Sequence, residues 1–350
     1  MDNYIKKPLV SILVPCYNVE DKVPRLFDSL LRQTYDYLQI IVVNDGSIDQ
    51  TEIVVLKYGE EFKAKGFEFN YVLQKNGGVA KACETGLSYV KGDFLCWPDA
   101  DDFYNDDAVE KLLDFLLNHE EYNIVRCNAN VFLESNLNSP IGKLAKNSKE
   151  DNLMLDYIEE RDVYFAPVCF MARFSAVRKE NPNLELFYGR TGQNYQMLLP
   201  LLRSSKFGFI EECLSNYLIF DGSISHKRKL TYLQRIERIE DKHNCIYETL
   251  KIMNLSNDEF HYYEGIAFQK LYTEKCIAAY DYGFKKQYRQ LRSNVIDKAY
   301  IQKLGTPDSY LTLPFMFQLH HLFYMMKQRL KGDDLVYKAV MKFRNMKAAK

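Results

Sequence analysis

The chain has 350 residues, enough for one large domain or two domains of ordinary size. It carries 46 basic and 47 acidic side chains, and this balance gives no general reason to expect nucleic acid as a partner. With 26 tyrosines and 22 phenylalanines, it has enough apolar surface for a sizeable core.

The eight cysteines indicate free thiols in a reducing compartment. No C-x-x-C pair occurs and most of the cysteines lie in apolar runs, which argues against a zinc site or a disulfide framework. Residues 1–7 are polar and unlike a signal peptide, and no uninterrupted apolar run is long enough to cross a bilayer. We therefore expect a cytoplasmic protein.

The first hundred residues alternate between short apolar runs and helix-spaced patterns. The runs predicted to be strands are Leu9–Val14, Leu38–Val43, Phe67–Leu73 and Phe94–Trp97. The segments predicted to be helices are Val23–Leu31, Asp49–Ala64 and the stretch from Gly78 to about Val90. This alternation predicts a doubly wound α/β sheet, in which ligands bind at the carboxyl ends of the strands.

Three carboxylates, those of Asp99, Asp101 and Asp102, follow the fourth strand within four residues. Such a cluster repels itself unless a cation lies among its oxygens, and a divalent ion keeps open positions for phosphate oxygens. One interpretation is a Mg²⁺ or Mn²⁺ site that holds a nucleotide diphosphate. The other is an acidic loop before a helix, with Asp106 and Asp107 as its N-terminal charges. The turn alone does not decide between them.

The loops after the strands carry motifs that match one family in order and spacing. The matching segments are Val14–Asn18, Gln33–Tyr35, Ile41–Asp49, Asn76–Ala80, Gly86-Leu87, Lys91–Asp93 and Asp99–Asp102. Residues 8 to about 118 thereby resemble the nucleotide-binding half of a family 2 glycosyltransferase. This family has the GT-A fold, inverts the anomeric centre and uses nucleotide-activated sugars.

The resemblance implies an organisation for the whole chain. A GT-A domain would span residues 1–228, with a donor half at about 8–118 and an acceptor half at about 119–228. Its fold class would be α/β, a doubly wound, Rossmann-like mixed sheet. Residues 229–350 would form a helical C-terminal domain.

The resemblance also implies a donor site. Tyr17 would stack on a uracil ring, and Asp45 would accept a hydrogen bond from the imide N–H of that base. The simpler alternatives are a tyrosine packed at a strand end and an aspartate in an Asx-turn. The residues implied to bind the nucleotide-sugar are Pro15, Tyr17, Asn18, Asp45, Lys75, Gly77, Gly78, Lys81, Asp99 and Ala100.

Within this donor site, Gly77-Gly78 would bring bare backbone N–H groups to a phosphate or the ribose, with positive charge from Lys75 and Lys81. The sequence departs from many relatives nearby, because Cys83 stands where they carry a basic residue and Glu84 where they often carry asparagine. A cationic contact to the diphosphate is therefore missing or comes from another segment.

In the acidic turn, Asp99 would hold ribose or sugar hydroxyls and Asp101 would bind Mn²⁺ or Mg²⁺. Asp102 would orient the metal or its waters. The ion would bridge the two phosphates and neutralise charge on the departing nucleoside diphosphate.

An inverting transferase also needs a general base near the acceptor hydroxyl. Many relatives supply it from a Glu-Asp pair at the start of a helix, where this chain has the amides Gln193 and Asn194. Amides do not take a proton at neutral pH, so they would orient the acceptor, unless they only begin a helix. The G-Q-N pattern is similar to that of a group of bacterial polysaccharide glycosyltransferases. The candidate bases are Asp102, Asp221 and Glu212.

Further strands are predicted over Asn123–Phe132, Ala166–Phe174 and Glu211–Phe220. Relatives often end this region with a pattern like Ser223-Ile224-Ser225-His226, so His226 would be a further metal or phosphate contact. The alternative is a lone surface histidine.

From Leu230 the pattern becomes helical, and a second helix is predicted over Tyr262–Tyr282. These helices would pack on one another, on the catalytic domain or on a second copy of the chain. An aromatic run, Leu311–Tyr324, precedes a basic tail; residues 321–350 hold eight basic and two acidic side chains. Such a tail suits peripheral contact with the inner face of a membrane, or a solvated end of a core helix.

Together these features predict a metal-dependent inverting hexosyl- or N-acetylhexosaminyltransferase. It would move a sugar from a UDP-sugar to a glycan or lipid-linked acceptor in surface polysaccharide synthesis. One alternative is a catalytically silent nucleotide-sugar-binding subunit. Another is a sugar nucleotidyltransferase, but that class needs a Gly-rich basic loop that Pro15–Asn18 does not provide.

Overall fold

The structure is a computed structural model that describes residues 7–144, 153–161, 163–189, 193–204, 206–220 and 230–296. The chain divides into two compact units, Met1–Arg228 with Asp241–Ala267 and Lys229–Glu240 with Phe268–Lys350. The domain boundary predicted between residues 228 and 229 stays a prediction, because neither residue is among those described.

A mixed sheet forms the centre of the first unit. Its strands are β1 (Val10–Cys16), β2 (Leu38–Asn44), β3 (Glu68–Leu73), β4 (Phe94–Cys96), β5 (Phe103–Tyr104), β6 (Tyr122–Leu133), β7 (Gly142–Lys143), β8 (Phe170–Arg173) and β9 (Lys206–Ile219). The order across the sheet is β3-β2-β1-β4-β8-β6-β9-β5, with β7 paired to β6. Strands β1 to β4 are parallel, whereas β8 is antiparallel to both of its neighbours.

Ten α-helices are described. They are α1 (Val23–Leu31), α2 (Thr51–Ala64), α3 (Val79–Leu87), α4 (Ala108–Asn118), α5 (Met154–Glu159), α6 (Phe174–Glu180), α7 (Gln193–Ser204), α8 (Tyr232–Ile252), α9 (Asn257–Asp281) and α10 (Lys285–Arg292). Helices α8 and α9 each contribute residues to both units.

The parallel strands form where the sequence is apolar on both faces. Every residue of β2 is buried, and so is every residue of β1 except Pro15, which is half-buried. Strand β4 is short, and its last residue, Cys96, lies opposite Ile12 of β1. The residues that follow β4 therefore run beside the carboxyl end of β1, and this register positions the site.

The strand predicted over Ala166–Phe174 is only partly correct. Pro167–Cys169 forms a 3-10 turn, and the strand is limited to β8. Proline lacks the N–H that a ladder position requires, so pairing begins after it. Strand β8 then lies between β4 and β6, where it joins the four parallel strands to the later strands of the sheet.

The second unit has a small core of its own. Its buried members are Cys276, Ala279, Tyr280, Tyr288 and Val295. Ion pairs join Arg235 to Asp281 at 2.6 Å and Lys275 to Glu240 at 2.5 Å. The predicted helical character of this region is confirmed over α8, α9 and α10.

Within the described part of the chain, none of the helices combines the length and apolar character that crossing a bilayer requires. The aromatic run Leu311–Tyr324 and the basic residues 321–350, on which the membrane prediction rests, lie outside the described residues.

We expect Gly92→Ala to destabilise the first unit by roughly 2–3 kcal/mol. A Cβ at Gly92 would lie 2.6 Å from Ser11 Oγ and 2.7 Å from both Leu9 O and Ser11 N, and two of these atoms are backbone. Chemical denaturation followed by circular dichroism measures the effect.

The matched control is Gly265→Ala, because no atom lies within 4 Å of a Cβ built there in α9. Alanine is the better helix former, so this variant should gain about 0.5–1 kcal/mol. Equal denaturation midpoints for the two variants would contradict the packing described at Gly92.

Candidate active site

The acidic turn after β4 brings three carboxylates together. One oxygen from each of Asp99, Asp101 and Asp102 can be chosen so that all three lie within 4.8 Å of one another. The Asp102 N–H donates to the Asp99 carbonyl at 3.3 Å, which closes the turn. The structure thus assembles the oxygen donor set that a divalent cation requires.

Asp102 is the most deeply placed of the three, with 1% of its surface exposed. Its Oδ1 accepts the Leu218 N–H of β9 at 3.0 Å, whereas its buried Oδ2 has no hydrogen-bond partner among the described residues. Burial, then the charges of Asp101 and Asp99, raise the pKa of Asp102 well above its usual value. An unpaired buried carboxylate oxygen is costly, and a cation among the three would relieve that cost.

Burial and the Asp101 charge raise the pKa of Asp99 to about 7, and a hydrogen bond with Gln193 lowers it in part. Burial also raises the pKa of Asp101, opposed by its own backbone N–H and by the charges of Lys22 and Arg25. The turn is therefore under electrostatic strain that a divalent ion would remove. The residues present fit such an ion.

The loop after β1 presents an open aromatic ring. Tyr17 is 49% exposed, so the alternative in which it packs at a strand end is wrong. Asn18 adopts a left-handed backbone with φ of 51°. Its N–H donates to Ser47 Oγ at 3.0 Å and its Oδ1 accepts the Ile48 N–H at 2.9 Å, so Asn18 fastens the first loop to the second.

Asp45 joins the loop after β2 to the loop after β3. It is 3% exposed, and its carboxylate accepts the N–H groups of Gly77 and Gly78 at 2.9 and 2.8 Å. The prediction that these glycines offer bare N–H groups to a phosphate is corrected, because both donate to Asp45. The Asx-turn alternative for Asp45 is wrong as well. The Ser47 N–H, which such a turn would bind to Asp45, donates to Asn44 Oδ1 at 2.9 Å.

Of the two predicted sources of positive charge, Lys81 is bound to neighbouring side chains and Lys75 is open to solvent. Lys81 Nζ lies 2.7 Å from Glu84 Oε1 and 2.9 Å from the Tyr188 hydroxyl, and Lys75 is exposed. Cys83 is buried in the core, which raises the pKa of its thiol. Position 83 therefore cannot supply the cation that relatives place there.

Glu84, the second departure from the family pattern, has a clear structural role. Its Oε2 accepts the Leu186 N–H at 2.8 Å, and its Oε1 receives the Tyr188 hydroxyl as well as Lys81. Burial raises the pKa of Glu84, but these hydrogen bonds outweigh it and the pKa falls below its usual value. Glu84 thus ties α3 to the segment that precedes α7, which the sequence did not indicate.

Gln193 begins α7 and hydrogen-bonds Asp99, which brings an amide to the acidic turn. The adjacent Asn194 donates to the Phe165 carbonyl at 3.4 Å, and its buried Oδ1 has no hydrogen-bond partner among the described residues. Of the two amides, Gln193 is therefore the one that the structure joins to the acidic turn.

The remaining predicted residues divide into three groups. Pro15 lies half-buried within β1, and Ala100 is buried in the core. Glu212 is wrong as a base, because it pairs with Lys111 at 2.6 Å and lies six residues from Leu218, about 20 Å along β9. Asp221 and His226 lie outside the described residues.

Comparison with known proteins supports the fold and the family. The model of the family described as "Glycosyl transferase family 2" matches residues 11–180. An uncharacterised glycosyltransferase of Rickettsia prowazekii is 38% identical over 116 residues, which are 33% of this chain and 34% of that protein. Glycosyltransferase GlyA of Streptococcus pneumoniae is 33% identical over 111 residues, 32% of this chain and 15% of that protein. This chain thus spans about a third or less of the curated relatives' length.

Among solved structures, residues 1–349 of TarS from S. aureus, in complex with UDP-GlcNAc, superpose with a TM-score of 0.58. The match covers 84% of this chain and 90% of the TarS chain at 14% identity, so it speaks for the fold alone. The predicted α/β GT-A fold is confirmed.

The class that these matches and the sheet define is a fold class, the α/β GT-A fold. Residues 11–180 of this chain are similar to glycosyltransferase family 2.

We expect Asp99→Asn to stabilise the metal-free protein in EDTA, and more strongly at pH 8 than at pH 5. The folded-state pKa of Asp99 is about 7, against an ordinary value of 3.8. Because the folded protein favours the protonated form, stability is lost as the pH rises from about 4 to about 7. The expected gain above pH 7 is at most about 4 kcal/mol, the free energy that corresponds to a pKa of about 7 against 3.8. Thermal unfolding at both pH values measures it.

The control is Asp114→Asn, which changes the same charge at an exposed position of α4. It should leave the melting temperature almost unchanged at both pH values. A stabilisation by Asp99→Asn that is equal at pH 5 and pH 8 would argue against a raised pKa at this carboxylate.

Proposed function

We propose that this chain is a metal-dependent inverting glycosyltransferase that takes its sugar from a UDP-sugar. The observation that carries the proposal is the acidic turn, where three carboxylate oxygens converge within 4.8 Å at the end of β4. In an α/β sheet this is the edge at which ligands bind. The complex of TarS with UDP-GlcNAc supports a UDP-sugar as the donor class.

The donor would lie across the loops that follow β1, β2 and β3. The open ring of Tyr17 would stack on uracil. Asp45 Oδ2 accepts one N–H, from Gly78, so it retains a lone pair for the imide N–H of the base. The role of Gly77 and Gly78 in this proposal is to fix the Asp45 carboxylate, and so to orient the group that reads the base.

At the reacting centre, the acceptor hydroxyl would attack the anomeric carbon from the face opposite the diphosphate. Asp101 would be the principal metal ligand, with Asp99 and Asp102 beside it; a Mn²⁺ or Mg²⁺ ion bound there would neutralise charge on the leaving diphosphate. Gln193 and Asn194 would orient the acceptor by hydrogen bonds.

The proton acceptor is proposed from two carboxylates. Asp102 lies in the turn, but its burial and the Leu218 contact favour a role in holding the turn. Asp221, which comes soon after β9, is the other candidate and lies outside the described residues. His226 is proposed as a further metal or phosphate contact on the sequence pattern alone.

We infer the acceptor class from the sequence. A glycan or lipid-linked saccharide, extended during surface polysaccharide synthesis, fits the family resemblance and the basic residues 321–350. The same reasoning proposes contact with the inner face of a membrane. Association between copies of the chain is proposed through the helical C-terminal region.

The test is a panel of UDP-sugars assayed for release of UDP with MnCl₂, with Asp101→Asn as the variant. We expect metal-dependent turnover that EDTA abolishes and that Asp101→Asn reduces by at least about 100-fold, the size of losing one transition-state charge contact. Asp114→Asn on α4 is the matched charge control and should retain wild-type rates.

Two outcomes would change this proposal. Tight UDP binding with no turnover on any donor would support a silent nucleotide-sugar-binding subunit, consistent with the amides at positions 193 and 194. Absence of UDP binding in the presence of Mn²⁺ would overturn the proposed donor class.

A further inference from the structure

Two cations at the start of α1, the N-cap residue Lys22 and Arg25, lie at the same edge as the acidic turn. Ser29 Oγ of α1 accepts the Tyr104 N–H at 3.1 Å, and Tyr104 comes two residues after Asp102. Arg25 is one helical turn before Ser29 on the same face of α1, toward the helix N-terminus. Helix α1 therefore packs against the residues that follow the acidic turn, and Arg25 lies one helical turn nearer the start of the helix.

Lys22 reaches the turn from a second direction. Its Nζ lies 3.3 Å from the centroid of the Phe220 ring. Phe220 follows β9 two residues after Leu218, whose N–H donates to Asp102 at 3.0 Å. The charges of Lys22 and Arg25 both lower the pKa of Asp101, which agrees with this placement.

Neither Lys22 nor Arg25 forms an ion pair with another described residue. Lys22 contacts a ring, and Arg25 Nη1 is buried without a hydrogen-bond partner there. By contrast, Arg32 at the other end of α1 pairs with Asp106 at 3.0 Å. A buried guanidinium nitrogen without an acceptor is costly, so an anionic ligand is the missing partner.

The site also needs more positive charge than the donor-side residues supply. Three carboxylates and a diphosphate carry more negative charge than one divalent ion offsets. Cys83 is neutral and buried, and Lys81 is bound to Glu84.

We propose that Lys22 and Arg25 form a phosphoryl-binding pair, which supplies the positive charge that position 83 lacks. This proposal rests on the proposed function, because it takes the acidic turn to be the reacting centre. The ligand is a phosphoryl group, either the diphosphate of the donor or a phosphate carried by the acceptor. Arginine and lysine provide the fork and the point charge with which proteins bind such groups.

The experiment compares Arg25→Met, Lys22→Met and the conservative Arg25→Lys with the wild-type full chain. Calorimetry measures binding of UDP, uridine and inorganic pyrophosphate in MgCl₂. The matched control is Arg32→Met, which removes the same charge from the same helix. Arg25→Met should weaken pyrophosphate binding about tenfold or more, with Arg25→Lys retaining much of it and Arg32→Met and uridine binding unchanged.

The pattern of losses distinguishes the two sources of phosphate. If UDP and pyrophosphate both bind more weakly to Arg25→Met, the pair holds the donor diphosphate. If only pyrophosphate binding falls, the pair holds a phosphate outside the donor, as on an acceptor. Wild-type affinities for both ligands in folded Arg25→Met and Lys22→Met would overturn the proposal.

This design separates the inference from the proposed function. Suppose that the wild type binds pyrophosphate, that Arg25→Met weakens this binding, and that no UDP-sugar is bound. This result would support the phosphoryl-binding pair and overturn the donor class. Suppose instead that the wild type turns over a UDP-sugar and that Arg25→Met and Lys22→Met equal it in binding and in rate. This result would support the donor class and overturn the phosphoryl-binding pair.

Discussion

Repulsion among the carboxylates of the acidic turn is the constraint on which this edge of the sheet depends. The turn after β4 places three acidic side chains where burial penalises their charge, and Asp102 Oδ2 has no donor among the described residues. Protein groups offset only part of that cost, through the Leu218 N–H and the Gln193 amide. A bound cation would offset the rest, and this is the physical reason for the metal site that we propose.

A second network, centred on Asp45, gives the edge its shape. One buried carboxylate draws in two backbone N–H groups and the Gln74 amide, so that the loop after β3 is held against the loop after β2. Asn18 performs the corresponding task between the first two loops. Loops that are far apart in the sequence are therefore joined by hydrogen bonds into one rim, on which the Tyr17 ring is exposed.

The parts of this arrangement that the sequence predicts are those governed by local patterns. Apolar runs gave β1 to β4, and the Asp99–Asp102 motif gave the carboxylate cluster, because parallel strands end at a common edge. The contacts of Asp102 with β9 and of Glu84 with Leu186 join residues about a hundred positions apart, and no spacing rule reports them. The placement of β8 was likewise unpredictable, since strand order depends on long-range pairing. Glu212 was mistaken because its position along β9, and its partner Lys111, are set by the register.

The cluster of Lys81, Glu84 and Tyr188 has a consequence for how firmly the segment before α7 is held. The Tyr188 hydroxyl accepts from Lys81 and donates to Glu84, and Glu84 also accepts the Leu186 N–H. If an anion drew Lys81 away, Tyr188 and Leu186 would still be bound to Glu84. The position of this segment therefore depends on one carboxylate of α3 more than on the neighbouring lysine.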